Sequence, residues 1–258
     1  MSTALITGAT AGLGAAFSRR LALEPHDLVL VARDADRLER AAKELVAEHG
    51  IEVETLPADL STAEGCAVVS TRLADPERPV EVLINNAGIG LGGSFLTAPV
   101  EDGIKLTQLN VLAVQRLTHA ALPLMIERGR GDVINVSSVS GFTPGMRDAT
   151  YSSSKAWVTC FSEALHVHTA GAGVRVMALC PGFVHTEFHQ RAGLDMTGVP
   201  DWMWTEADDV VRDALRALRR GKAVYVPGRQ YKAIVTVARH APRTVVRRAA
   251  ARVGASRR

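Results

Sequence analysis

The feature that most constrains this chain is a change of rhythm near its start. A short apolar run, residues 4–6, passes without a break into Thr7-Gly8-Ala9-Thr10-Ala11-Gly12-Leu13-Gly14, and a helical pattern follows over 12–23. A strand that ends in closely spaced glycines and turns straight into a helix opens a βαβ unit. The rest of the chain keeps that rhythm. Runs rich in Val, Ile and Leu lie at 28–32, 53–56, 80–84, 133–136 and 174–179, with a last short one at 223–226. They show little polar alternation, as expected of strands buried on both faces. Helical patterns fill the gaps at 35–49, 62–74, 104–128, 152–170 and 206–220, and Gly50 is placed to stop the second of them. The expectation is an α/β fold: one doubly wound parallel sheet of about seven strands with helices on both faces.

The glycine spacing is GxxxGxG. Without Cβ atoms the backbone turns tightly and lets a pyrophosphate approach, while the following helix aims free N–H groups and its positive end at that anion. No GK[ST] follows, so this is not a Walker loop. The plainer alternative is a tight βα turn whose glycines serve packing alone. Arg33 closes the second strand, 19 residues after Gly14, about where a dinucleotide site reads the ribose 2′ position. An acid there would repel a 2′-phosphate; an arginine offers it a charged planar fork. Asp34 competes for the acidic role but suits the cap of the next helix better.

No Pro/Gly/Ser-rich linker divides the chain. Residues 1–228 read as one domain and 229–258 as a basic helical C-terminal extension. The charge is uneven. Residues 1–211 carry 16 Lys and Arg against 26 acids, whereas 212–258 carry 14 Lys and Arg against one acid, Asp213. In the extension Val245, Val246, Ala249, Ala250 and Val253 recur at helical spacing beside Arg243, Arg247, Arg248 and Arg252, with Pro242 at a plausible start. Such a helix can lie on an anionic membrane, on a partner subunit or on the acidic body. No nucleic-acid motif accompanies the arginines, so no nucleic-acid partner is expected. The three cysteines, Cys66, Cys160 and Cys180, lie far apart without a CxxC pair; they form neither a disulfide framework nor a metal cluster. With no signal peptide and no run near ~20 apolar residues, a cytoplasmic setting is expected.

Taken together, Thr7–Gly14, Asn85-Asn86-Ala87-Gly88, Ser138 and Tyr151-x-x-x-Lys155 resemble the short-chain dehydrogenases/reductases, in that family's order and spacing over nearly all of 1–226. Asp59-Leu60, Asn110 and Pro181-Gly182 leading to Thr186 add to the match. The resemblance implies that 1–228 is a Rossmann-like, NADP-binding catalytic domain, an oxidoreductase that moves a hydride between a nicotinamide cofactor and a carbonyl or secondary alcohol. It places the catalytic set on Ser138, Tyr151, Lys155 and Asn110; Ser137 is adjacent, and the family's interval of 13 residues before the tyrosine selects Ser138. It sets Gly8, Thr10, Gly12, Leu13 and Gly14 at the phosphates, and Asp59 and Leu60 near the adenine. Asn85 falls near the cofactor ribose and Val184 and Thr186 near the carboxamide, and Ala87, Gly88, Tyr151, Lys155, Pro181 and Gly182 complete the expected cofactor contacts. Arg33 resembles the basic residue of the NADP-preferring branch, which makes NADP(H) the expected cofactor ahead of NAD(H). Asn85 and Asn86 are both open to a purely structural role, tying strand ends together, and Asn110 is open between touching substrate and holding the helix 104–128 and a water near Lys155.

The residue types suit that chemistry. A free tyrosine has a pKa near ~10 and is a poor base at neutral pH. An ammonium one helical turn later stabilises the phenolate and lowers that value. Ser138 would hold the substrate oxygen. By the same resemblance residues 183–205 form a flap over the nicotinamide end. It carries Phe183, Phe188, Leu194, Met196, Val199, Trp202, Met203 and Trp204, which suits a lipophilic substrate or, alternatively, packing between helices or subunits. His185 and His189 stand four apart without an acid at metal-site spacing, and read as pocket or loop polar groups. Family members are commonly dimers or tetramers, so a homo-oligomer is expected. The competing reading is a catalytically silent sensor or scaffold that binds NADP(H) on the same fold; the intact Ser138/Tyr151/Lys155/Asn110 set argues against it.

Overall fold

The computed structural model describes residues 2–144 and 149–248. The first half alternates β1 (Ser2–Thr7), α1 (Gly12–Ala22), β2 (His26–Ala32), α2 (Ala35–His49), β3 (Val53–Pro57), α3 (Ala63–Leu73) and β4 (Val82–Asn85). A long helix follows in three parts: α4 (Val100–Thr107), a π-helical turn (Gln108–Ala113) and α5 (Val114–Glu127). Next come β5 (Gly131–Val136), a 3₁₀ turn (Val139–Phe142), α6 (Ala149–His168) and β6 (Val174–Leu179). The flap holds β7 (Phe183–Val184), α7 (Phe188–Arg191), a 3₁₀ turn (Asp201–Met203) and β8 (Trp204–Thr205). The chain continues with α8 (Ala207–Arg219), β9 (Val224–Tyr225) and α9 (Arg229–His240).

Seven strands form one parallel sheet in the order β3-β2-β1-β4-β5-β6-β9. The order reverses between β1 and β4, so the crevice beyond their C-terminal ends is where an open α/β sheet binds its ligand. Alternation along each strand feeds two cores. Ala4, Ile6, Leu28 and Leu30 face α1, α2 and α8, while Leu5, Val29, Val31 and Leu83 face α3 and α5. Buried on both sides, these strands need apolar residues throughout, which is why the runs were legible in the sequence.

Caps set the helix limits. Asp34 accepts a hydrogen bond from the Arg37 N–H at 3.0 Å and begins α2. Gly50 ends it in the left-handed conformation at φ 66°. The helix expected over 104–128 begins four residues earlier, at Val100. Together Val100–Glu127 is long and apolar enough to pass a membrane-span test, which single apolar runs did not reveal. It is a core helix: Leu106, Leu109, Ala113, Leu117, Ala121 and Met125 are buried against the domain.

The extension is helical from Arg229, earlier than its stripe implies. Tyr231 and Val235 of α9 are buried with Ala178, Cys180 and Val226. After a break at Ala241-Pro242 residues 243–248 are helical again, with Val246 buried and Val245 exposed. Ala249, Ala250, Arg252 and Val253 of the expected stripe lie outside the described residues.

Candidate active site

The glycine-rich turn is built by close approach. A Cβ on Gly14 would stand 2.1 Å from the Gly8 carbonyl oxygen, so only glycine lets α1 start this near the end of β1. Asn86 fixes the turn from the next strand, donating through Nδ2 to the carbonyls of Thr7 at 2.8 Å and Gly8 at 3.3 Å. This is the structural option for Asn86. Gly12 and Leu13 open the first turn of α1, whose N-cap, Ala11, makes no side-chain hydrogen bond. The N–H groups there are available to an anion.

Arg33 is exposed at the end of β2. Asp34, spent on its cap, leaves the guanidinium as the charge on offer. Asp59 stands near it at the end of β3. Partial burial pushes the Asp59 carboxyl up, but hydrogen bonds from Ser61 and the charges of Arg33 and Lys105 outweigh this and hold it below the usual range. Leu60 beside it is buried.

Asn85 takes the structural option. It is 3% exposed, and its Nδ2 donates to Thr118 Oγ1 at 3.0 Å and Asn135 Oδ1 at 2.8 Å. Its Oδ1 is buried with no hydrogen-bond partner among the described residues. The side chain therefore ties β4 to β5 and α5, and its donors are not offered to a ribose. Sheet alternation explains this: Asn85 has the same orientation as Leu83, which faces α5. Ala87 and Gly88 do sit at the crevice. The Ala87 N–H donates to Thr7 Oγ1 at 2.9 Å. A Cβ on Gly88 would lie 3.1 Å from Asn110 Oδ1 and 3.5 Å from Lys155 Nζ.

Tyr151 and Lys155 share the first turns of α6. Lys155 is 5% exposed; its Nζ donates to the Val136 carbonyl at 2.9 Å and lies 5.6 Å from the centre of the Tyr151 ring. Burial pushes its pKa from 10.5 to about 8, so it is still an ammonium at neutral pH. Asn110, in the π-helical turn, clamps the backbone of Ile89: its Oδ1 accepts from the N–H and its Nδ2 donates to the carbonyl, both at 2.9 Å. Its amide is thus held beside Gly88 and Lys155 instead of reaching outward.

The two serines at the end of β5 have separate tasks. Ser137 donates to the Lys155 carbonyl at 2.7 Å and pairs with Thr159 at 2.8 Å, which anchors α6 to the sheet. Ser138 caps the next turn, its Oγ accepting from the Ser140 N–H at 3.1 Å.

The flap closes this end. Pro181 accepts from the Val139 N–H at 3.0 Å. Val184 is buried, and Thr186 lies over the glycine turn, its Cβ 3.1 Å from where a Cβ on Gly12 would be. The Phe188 ring centre is 5.9 Å from that of Tyr151. His189 sits among Phe183, Phe188 and Trp204 with its Nδ1 buried and without a hydrogen-bond partner among the described residues; burial holds it below the usual imidazole range. His185 stacks on Trp204 at 4.6 Å. Leu194 and Trp202, by contrast, are exposed.

Three residues at the site carried no signal in the motifs. Tyr231 fills the space beside Gly182. Arg37 reaches from α2 to the Thr10 carbonyl at 3.1 Å, and it pairs with Glu187 of the flap. The position of Arg37 four residues after Arg33, in the first turn of α2, was the available clue.

A model of the short chain dehydrogenase family matches residues 2–196. A short-chain dehydrogenase from Sphingobium yanoikuyae, solved in complex with NADPH, is 36% identical with a TM-score of 0.85, covering 93% of this chain and 94% of that one. The bulky-bulky ketone specific alcohol dehydrogenase of Comamonas testosteroni is 30% identical with a TM-score of 0.80, covering 93% and 92%. By sequence, the ketoacyl reductase HetN of Nostoc sp. is 33% identical over 182 residues, 70% of this chain and 63% of that protein. The match thus spans less than two thirds of that relative's length. The chain belongs to the short-chain dehydrogenase family.

Proposed function

We propose that this chain reduces a lipophilic carbonyl compound, or oxidises the matching secondary alcohol, with NADP(H) as cofactor and Tyr151 as acid and base. The observation that carries the reading is the buried Lys155 Nζ, which donates to the Val136 carbonyl at 2.9 Å, lies 5.6 Å from the centre of the Tyr151 ring and stands 3.5 Å from where a Cβ on Gly88 would be.

The residues fit the cofactor. The close-packed glycine turn and the free N–H groups of α1 suit a pyrophosphate. Arg33 and Arg37 suit a 2′-phosphate, while Asp34 is engaged as a cap. When bound, the nicotinamide supplies or takes up the hydride. In reduction the Tyr151 hydroxyl gives its proton to the substrate oxygen, and in oxidation the phenolate takes it back. Lys155 favours the phenolate by charge. Ser138 exchanges its hydrogen bond to Ser140 Oγ for one to the substrate oxygen and so fixes the orientation. Asn110 holds the Ile89 segment and so keeps the wall beside Lys155 in place.

The Phe183, Phe188, Trp204 and Phe142 side chains support an apolar substrate. Val100, Ile104 and Leu112, exposed along the helix 100–127, support self-association. The test of the cofactor reading is a side-by-side fluorescence titration with NADPH and NADH. Tighter NADPH binding that reverses in Arg33→Asp is the expected result. Binding of neither dinucleotide by folded protein would overturn the reading.

A further inference from the structure

Arg37 stands between two parts of the molecule that a bound dinucleotide would also join. It projects from the first turn of α2, and its Nη2 donates to the Thr10 carbonyl of the glycine turn at 3.1 Å. The same nitrogen pairs with Glu187 Oε1 at 3.3 Å, across 150 residues of sequence. Glu187 follows Thr186, the residue lying over Gly12. The flap therefore brings a carboxylate to the guanidinium beside an anion-binding turn. Glu187 has a second partner in Arg191, one helical turn on. A phosphate that takes Arg37 would leave the carboxylate paired, so the exchange strands no charge.

We propose that Glu187 is a cofactor-selectivity residue: its carboxylate occupies Arg37 and yields it to a ribose 2′-phosphate, so that recognition of that phosphate also releases this flap contact. The inference rests on the dinucleotide reading above and deepens it. NADPH carries a dianionic group able to compete for the guanidinium. NADH has only a 2′-hydroxyl at that place and leaves the Arg37–Glu187 pair intact. The hydrogen bond from Arg37 keeps Glu187 ionised, which is the form that competes.

The pair is partly exposed, 33% and 48%, so its worth is that of a surface ion pair and its effect is a few-fold. The same exposure allows both residues to be replaced without disturbing the core. The experiment is a double-mutant cycle on equilibrium binding of NADPH and NADH, read by cofactor fluorescence, with Glu187→Gln, Arg37→Gln and both together. Glu187→Gln is expected to tighten NADPH about two- to five-fold and to change NADH less. Arg37→Gln is expected to weaken NADPH selectively. In the Arg37→Gln background the gain from Glu187→Gln disappears. A Glu187→Gln gain of the same size with and without Arg37, or equal for the two dinucleotides, overturns the inference and leaves the cofactor reading standing. Failure of the unaltered protein to bind NADPH at all overturns both.

Discussion

The ring of Tyr231 occupies the space that a side chain on Gly182 would need: a Cβ there would lie 2.0 Å from the ring. The Tyr231 hydroxyl donates to the Met203 carbonyl at 2.6 Å and accepts from the Phe183 N–H at 2.9 Å. One side chain of α9 thus binds both ends of the flap, close to β7 and β8. Tyr231→Phe leaves the Phe183 N–H without this partner and is expected to cost about 1–3 kcal/mol. Tyr231→Ala adds a cavity and is expected to cost about 3–5 kcal/mol. Urea denaturation of the two variants checks both values. For the same reason a chain ending at Gly228 loses a core residue, whereas one ending at Ala241 keeps it. Comparing full-length protein with the latter in liposome sedimentation isolates any membrane contact of the remaining arginines.

Asn85 gives a test that separates scaffold from cofactor contact. Asn85→Ala removes the donors to Thr118 and Asn135. The expected outcome is a stability loss of about 1–3 kcal/mol, with NADPH affinity changed less than about two-fold. Normal stability with a large loss of affinity would return Asn85 to the ribose.

The pH dependence of stability follows from the buried groups near the site. Lys155 is pushed by burial from 10.5 to about 8. Between those values the unfolded chain holds a proton that the folded chain has released, so stability rises with pH. Burial pushes Cys180 the other way, from 9.0 up to about 11, and raises Cys66 from 9.0 as well. The folded chain then keeps protons that the unfolded chain gives up, and stability falls with pH from 9 upward. The denaturation midpoint is expected to climb between pH 8 and 9 and to flatten above that. Lys155→Met is expected to remove the climb; its persistence in that variant would show that another group causes it.

Much of this architecture was legible in the sequence because burial on two faces leaves a mark that needs no partner to read. Leu28 to Val31 or Val174 to Leu179 are apolar whatever lies beside them. The glycine turn and the Tyr151–Lys155 pair were legible for a similar reason, since one turn of chain holds each arrangement. What escaped depends on distant residues. Neighbouring asparagines in the same motif differ in role only because Asn85 faces α5 and Asn86 faces the Gly8 turn. Arg37 gains its place from Glu187, far along the chain, and Tyr231 from the absent side chain of Gly182. The break at Ala241-Pro242 hid α9, whose buried positions, Tyr231 and Val235, are only two. The basic stripe beyond it drew the reading toward the surface.

The measurement that tests the central claim most directly is single-turnover reduction by Tyr151→Phe and unaltered protein, loaded with NADPH, against a panel of bulky aliphatic and aromatic ketones. The account expects Tyr151→Phe to bind NADPH as the unaltered protein does and to transfer hydride slower by on the order of 10²–10⁴-fold. Equal rates in the two proteins, or no turnover of any ketone by unaltered protein that binds NADPH tightly, would contradict it.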